Sequence, residues 1–140
     1  MSKKQKNKGK LPQSGHPLVD LIFKCFITIL EDENFKIYKV KKLTIQNASE
    51  EEDDAYGLCW FDGENGVHIF IDPTAKPKIP TIKILIHELS HALFNKAMVK
   101  HDIIFYLHEL LYLIFTEKQK NFLLRYIPKH FTKKQPPLMN

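Results

Sequence analysis

His87-Glu88-Leu89-Ser90-His91 places two histidines four residues apart, with a glutamate directly after the first. The pattern has meaning only on a helix, and the flanking sequence predicts one over Thr81 to Ala97. Ile82, Leu85, Ile86, Leu89, Leu93 and Ala97 recur at helical spacing as one apolar stripe. Pro80 stands just before Thr81, where proline is common at a helix start. Residues four apart on a helix lie on one face, one turn above the other. His87 and His91 fall opposite the apolar stripe, bracketed by Ile84 and Phe94. A purely solvated face would not be bracketed by large apolar groups. The expected helix packs on one side and forms a cleft wall on the other. The competing reading is two solvated histidines and no metal.

Two imidazoles so placed can each give one nitrogen to the same zinc ion, and a catalytic zinc takes three protein ligands and keeps one position open. Glu88 then stands beside the ion without ligating it, as a general base toward an activated water. The expected third ligand is Glu109, eighteen residues after His91. It lies in the run 102–116, which is apolar almost all round and therefore reads as a buried helix. A carboxylate in the middle of a buried helix needs a cation, and zinc supplies one. The alternatives are a Lys or Arg partner for Glu109, with His101, His108 or Cys59 as the ligand. His108 faces Ile104, Leu111 and Phe115 and reads as a packed core histidine. His101 falls in the expected turn between two helices, while Cys59 and His68 fall on strands. Each ligating histidine also needs a partner on its other ring nitrogen, which the sequence does not name. Tyr112, three residues after Glu109, is a candidate second donor to a developing oxyanion.

The motif and what precedes it resemble a known group. Tyr56-Gly57-Leu58-Cys59-Trp60-Phe61-Asp62, a turn, His68-Ile69-Phe70-Ile71-Asp72, a polar stretch and then the H-E-x-x-H helix resemble the small zincin metallopeptidases of bacteria and their phages. With a glutamate in the next helix the chain is most similar to the gluzincin branch, akin to the SprT-like and ImmA/IrrE-like groups. The resemblance spans about Tyr56 to Thr116 and has one specific motif. It implies zinc held by His87, His91 and Glu109, Glu88 as catalytic base, and a protein or peptide substrate laid along an edge strand, for which Val67–Ile71 is the candidate. Phe94 and Ala97 stand where metzincins have glycine and a third histidine, so that branch does not fit. There is no E-G-C-L-S segment, so peptide deformylase is a poor match.

The remaining sequence predicts a minimal α+β domain: an N-terminal helix, a small three-stranded sheet, the H-E-x-x-H helix and a following ligand helix. A helix over 16–32 is expected to pack Leu18, Leu21, Ile22, Cys25 and Ile29 on the sheet. Strands are expected over 35–45, 56–61 and 67–71, the last two joined by Asp62-Gly63-Glu64-Asn65-Gly66, which is hairpin chemistry. A last helix is expected over 117–126. The organisation reads as a disordered basic tail over 1–14, one domain over 15–128 and an irregular, basic, proline-containing tail over 129–140.

Net charge is +5, but it is concentrated at the ends, in Lys3, Lys4, Lys6, Lys8 and Lys10 and again in Lys129, Lys133 and Lys134, with an acidic run over Glu50 to Asp54. Such ends support nucleic-acid attraction only weakly. Two cysteines without a framework and no signal peptide point to a reducing cytoplasm, the host's if the gene is a phage's. The apolar run over 18–30 is too short and too interrupted for a membrane span. The expected function is zinc-dependent peptide hydrolysis. The alternative is a non-proteolytic zinc-binding regulatory module, phage-related, acting on DNA or a protein partner.

Overall fold

The computed structural model describes residues 10–43, 56–94 and 100–136. Among the described residues are four helices and one three-stranded sheet, an α+β arrangement with the helix α1 (Pro17–Leu30) ahead of the strands. The strands are β1 (Phe35–Lys39), β2 (Gly57–Phe61) and β3 (Val67–Ile71), followed by α2 (Thr81–Leu93), α3 (His101–Ile114) and α4 (Glu117–Leu124).

β2 and β3 form the expected antiparallel hairpin, with Gly57 opposite Ile71 and Phe61 opposite Val67. Asp62 closes its turn by accepting from the backbone N–H groups of Glu64 and Gly66. Asn65 and Gly63 take the positive φ that such a turn requires. β1 lies on the other side of β3 and runs parallel to it, Phe35 beside Val67 and Lys39 beside Ile71. The order is therefore β1-β3-β2, and β3, expected at an edge, is the central strand. Its Ile69, Phe70 and Ile71 are fully buried accordingly. β1 is shorter than expected. It ends at Lys39, and Lys42 turns the chain with φ 52°; residues 44 and 45 of the expected strand, and the acidic run, lie outside the described residues.

α2 packs across the sheet with Ile82, Leu85, Ile86 and Leu89 buried, as its stripe predicts. α1 turns a different face inward from the expected one. Val19, Phe23, Phe26, Ile27 and Leu30 are buried, while Leu18 and Leu21 are more than half exposed. The reason is aromatic volume: Phe23 and Phe26 set their rings edge-on to Phe115, and burying two phenyl rings outweighs burying two leucines. α4 begins at a capping box in which Thr116 and Gln119 bond each other's backbone N–H.

The chain ends are more involved than their composition suggests. Leu11 packs against the core cluster, and Gln119 donates to the Pro12 carbonyl and to Asp20. Residues up to 14, expected in a disordered tail, thus include a packed stretch from 11. At the other end Thr132 donates its N–H to the Lys39 carbonyl, so irregular chain covers the free side of β1. No helix among the described residues is long and apolar enough to cross a membrane.

Candidate metal centre

α2 presents Lys83, His87 and His91 at successive turns of one face. α3 lies beside that face and runs the opposite way: its first residue, His101, meets His87, and its later residues His108 and Glu109 meet His87 and Lys83. The Nε2 atoms converge. His87 Nε2 is 3.2 Å from His91 Nε2 and 3.1 Å from His101 Nε2. Ligand atoms of all three histidines lie within 4.8 Å of one another. His101 is exposed and the other two are half-buried, so the cluster opens outward.

Glu109 is not brought to this cluster. Its Oε1 accepts from Lys83 Nζ at 3.0 Å and faces His108 Nε2 at 3.4 Å. The side chain that does meet the histidine pair is His101, and the cause is visible in the helix pairing. Lys83 stands one turn before His87, and the antiparallel α3 brings Glu109 level with that lysine. The premise of full burial also fails. α3 buries Ile104, His108 and Leu111 but leaves Ile103, Tyr106, Leu110 and Leu113 at least half exposed. Glu109, at 36% side-chain exposure, has no need of a metal to offset desolvation.

His108 is buried, as expected of a core histidine, yet its Nδ1 lies 2.7 Å from His87 Nδ1. Tyr112 lies beneath two cations, its ring centroid 5.2 Å from Lys83 Nζ and 4.3 Å from Lys120 Nζ. His68 sits elsewhere on the sheet, between Tyr38 and Asp62. Burial pushes the Cys59 thiol far up, and Glu88 adds to this, so Cys59 is a neutral strand residue.

Glu88 points into the domain. It is 4% exposed and lies against β2, where a Cβ on Gly57 would meet Glu88 Oε2 at 2.9 Å and the Phe70 carbonyl oxygen at 2.9 Å. Glycine at 57 is therefore what makes room for the carboxyl group. Burial pushes that carboxyl up to about 8. His87 moves the other way: burial first, then His91, His108 and His101, hold it down at about 3. It is neutral at physiological pH, the form that ligates a metal.

Sequence reasoning weighed His101 and His108 and set both behind Glu109. Their spacing was the usable signal. Seven residues is two helical turns, so both lie on the face that a short reversal after His91 turns back onto α2. Among known proteins, the chain matches no family model, no curated protein and no solved structure.

Proposed function

We propose that the chain is a zinc-dependent peptide hydrolase whose metal ligands are His87, His91 and His101 and whose general base is Glu88. The observation that carries this reading is the convergence of three imidazole Nε2 atoms beside the Glu88 of the same helix. Zinc–imidazole bonds of 2.0–2.1 Å at tetrahedral angles put ligand nitrogens about 3.3 Å apart. The separations of 3.1 and 3.2 Å at His87 Nε2 are near that value, and the three ligand atoms lie within 4.8 Å of one another. The donor set of neutral nitrogens suits zinc. Bound there, zinc would act as a Lewis acid on the scissile carbonyl and would activate a water.

The other roles belong to the chain. Glu88 supplies the carboxyl, which Gly57 lets lie directly against β2; burial keeps it protonated in the metal-free fold, and a bound cation would favour its ionised, proton-accepting form. β2 pairs with β3 alone among the described strands, so its outer side can receive an extended peptide by strand addition. A peptide laid there runs past Glu88, which takes a proton from the attacking water and returns it to the leaving amine. The substrate strand therefore belongs beside β2 rather than the central β3.

The test is the metal content of the full chain purified without added metal, with zinc affinity and peptide hydrolysis measured on the same samples. We expect about one zinc per chain, lost in His91→Ala and His101→Ala and kept in Glu109→Ala. Glu88→Gln should keep zinc and lose hydrolysis. A wild-type chain that takes no zinc after reconstitution would remove the proposal. Zinc binding without any Glu88-dependent hydrolysis would favour the regulatory module instead.

A further inference from the structure

The histidine cluster is backed by a line of polar groups that a metal site alone does not require. We propose that His108 is a positioning residue, held by Glu109 and Lys83, that fixes the tautomer of His87 so that its Nε2 lone pair faces His91 and His101. This rests on the reading of the cluster as a metal site, and it assigns Glu109 a role other than ligation.

The argument follows donors and acceptors along the line. Lys83 can only donate, and an ionised carboxylate can only accept. Lys83 Nζ bonds Glu109 Oε1 at 3.0 Å, and the same oxygen faces His108 Nε2 at 3.4 Å. A carboxylate oxygen there calls for an N–H on His108 Nε2. A neutral imidazole carries only one N–H, and His108 is only 7% exposed, so burial favours its neutral form. Its Nδ1 is then a bare acceptor. His87 Nδ1 lies 2.7 Å away, and two bare nitrogens at that distance would repel. The proton must sit on His87 Nδ1, which leaves His87 Nε2 bare. That is the nitrogen at the centre of the cluster, 3.1 and 3.2 Å from the other two. A fixed charge on Lys83 is thereby passed, through Glu109 and His108, into a fixed lone pair at the proposed metal position.

The reverse polarity, with His87 donating from Nε2, would aim a proton at the place a cation should occupy. Glu109 and Lys83 exclude it without touching the cluster. A merely structural His108 that filled space between the two helices would leave the His87 tautomer unconstrained. The two roles therefore make different predictions.

The experiment uses the ¹⁵N-labelled full chain, metal-free, with ring tautomers read from long-range ¹H–¹⁵N correlations. Zinc affinity is measured separately by competition with a chromogenic chelator. The variants are His108→Leu, His108→Asn and Glu109→Ala. His87 in the wild type should carry its proton on Nδ1. His108→Leu should lose that preference and bind zinc roughly 10–100-fold more weakly. His108→Asn, whose Oδ1 can accept from His87 Nδ1, should restore both. Glu109→Ala should weaken the preference while leaving all three nitrogen ligands in place.

A wild-type His87 protonated on Nε2 overturns the proposal, as does a His108→Leu variant with wild-type tautomer and affinity. So does a His108→Asn variant as weak as His108→Leu, because volume would then be the cause. Should His108→Leu fail to fold, the wild-type spectrum and Glu109→Ala still decide. The tautomer is read without metal, so a chain that binds no zinc removes the metal site and leaves this outcome separately visible.

Discussion

Replacing Glu88 by glutamine should stabilise the metal-free protein, and by more as the pH rises. The Glu88 carboxyl is buried against Gly57 and beside Cys59, and burial alone pushes it from 4.5 up to about 8. In the unfolded chain it returns to the ordinary value. Between those limits the folded state holds more protons than the unfolded state, so stability falls as pH rises. The cost is absent below about pH 4. It grows by about 1.4 kcal/mol per pH unit across the window and levels off near pH 8 at roughly 4–5 kcal/mol. Folded domains are stable by only about 5–15 kcal/mol, so this is a large share. A glutamine stays neutral throughout. Its own fit adds an offset that does not change with pH, so the informative quantity is the slope.

The assay is urea denaturation of chelator-treated wild type and Glu88→Gln from pH 5 to pH 9 at constant ionic strength. The difference between the two should widen steadily toward pH 8 and then stay level. Parallel stability curves would refute the reasoning, since they would mean a carboxyl that ionises as readily inside the fold as outside it. Zinc supplies a second check. A cation at the histidine cluster favours the ionised carboxylate next to it, so saturating zinc should flatten the slope.

Three further outcomes follow from the same geometry. Gly57→Ala puts a methyl 2.9 Å from both Glu88 Oε2 and the Phe70 carbonyl; it should cost about 1–3 kcal/mol by denaturation and expose the Glu88 carboxyl, lowering its titration midpoint by NMR. Asp72 accepts from Thr74 N–H, Thr74 Oγ1 and Leu43 N–H; its burial works against ionisation, but these bonds win and hold its carboxyl below the usual range. Asp72→Asn should therefore cost about 1–3 kcal/mol at neutral pH, a difference that shrinks as pH falls below about 4, where the wild-type carboxylate protonates. Gln119 is fully buried and bonds Thr116, Pro12 and Asp20; Gln119→Ala should lower the urea midpoint by an amount equivalent to about 1–3 kcal/mol and release residues 11–14 to faster hydrogen exchange.

Period and turn chemistry made most of the architecture legible. The stripe on α2 and the Asp62–Gly66 turn each reflect contacts between residues close in sequence; the turn forms where the pattern puts it, and α2 starts at Thr81 as expected but ends at Leu93, residues 95–97 of the expected span lying outside the described residues. What the sequence did not yield depends on partners far along the chain. The parallel pairing of β1 with β3 is set by which strand edge remains after the hairpin forms. The inward face of α1 is set by Phe115 and Phe122, which meet Phe23 from the other end of the chain. Asp20, Lys24 and Thr28 mark one polar strip on α1, but apolar residues cover the rest, so its own period could not choose which part of that wide face turns inward.

The placement of Glu109 and His101 turns on the same distinction. An apolar helix suggested burial, and burial suggested that Glu109 needs a metal, but the outer stripe of α3 is exposed. Composition measures how apolar a helix is, not how many neighbours cover it. The stronger constraint was topological. A short reversal after His91 makes α3 antiparallel to α2, and antiparallel helices pair the last turn of one with the first turn of the other. His101 is the first residue of α3 and His91 lies in the last turn of α2, so that register sets them side by side. By the same register Glu109, two turns further on, falls level with Lys83 and is neutralised there. Had residue 83 been neutral, the carboxylate would have lacked a cation, and His87 would have been the next group along that face for it to reach.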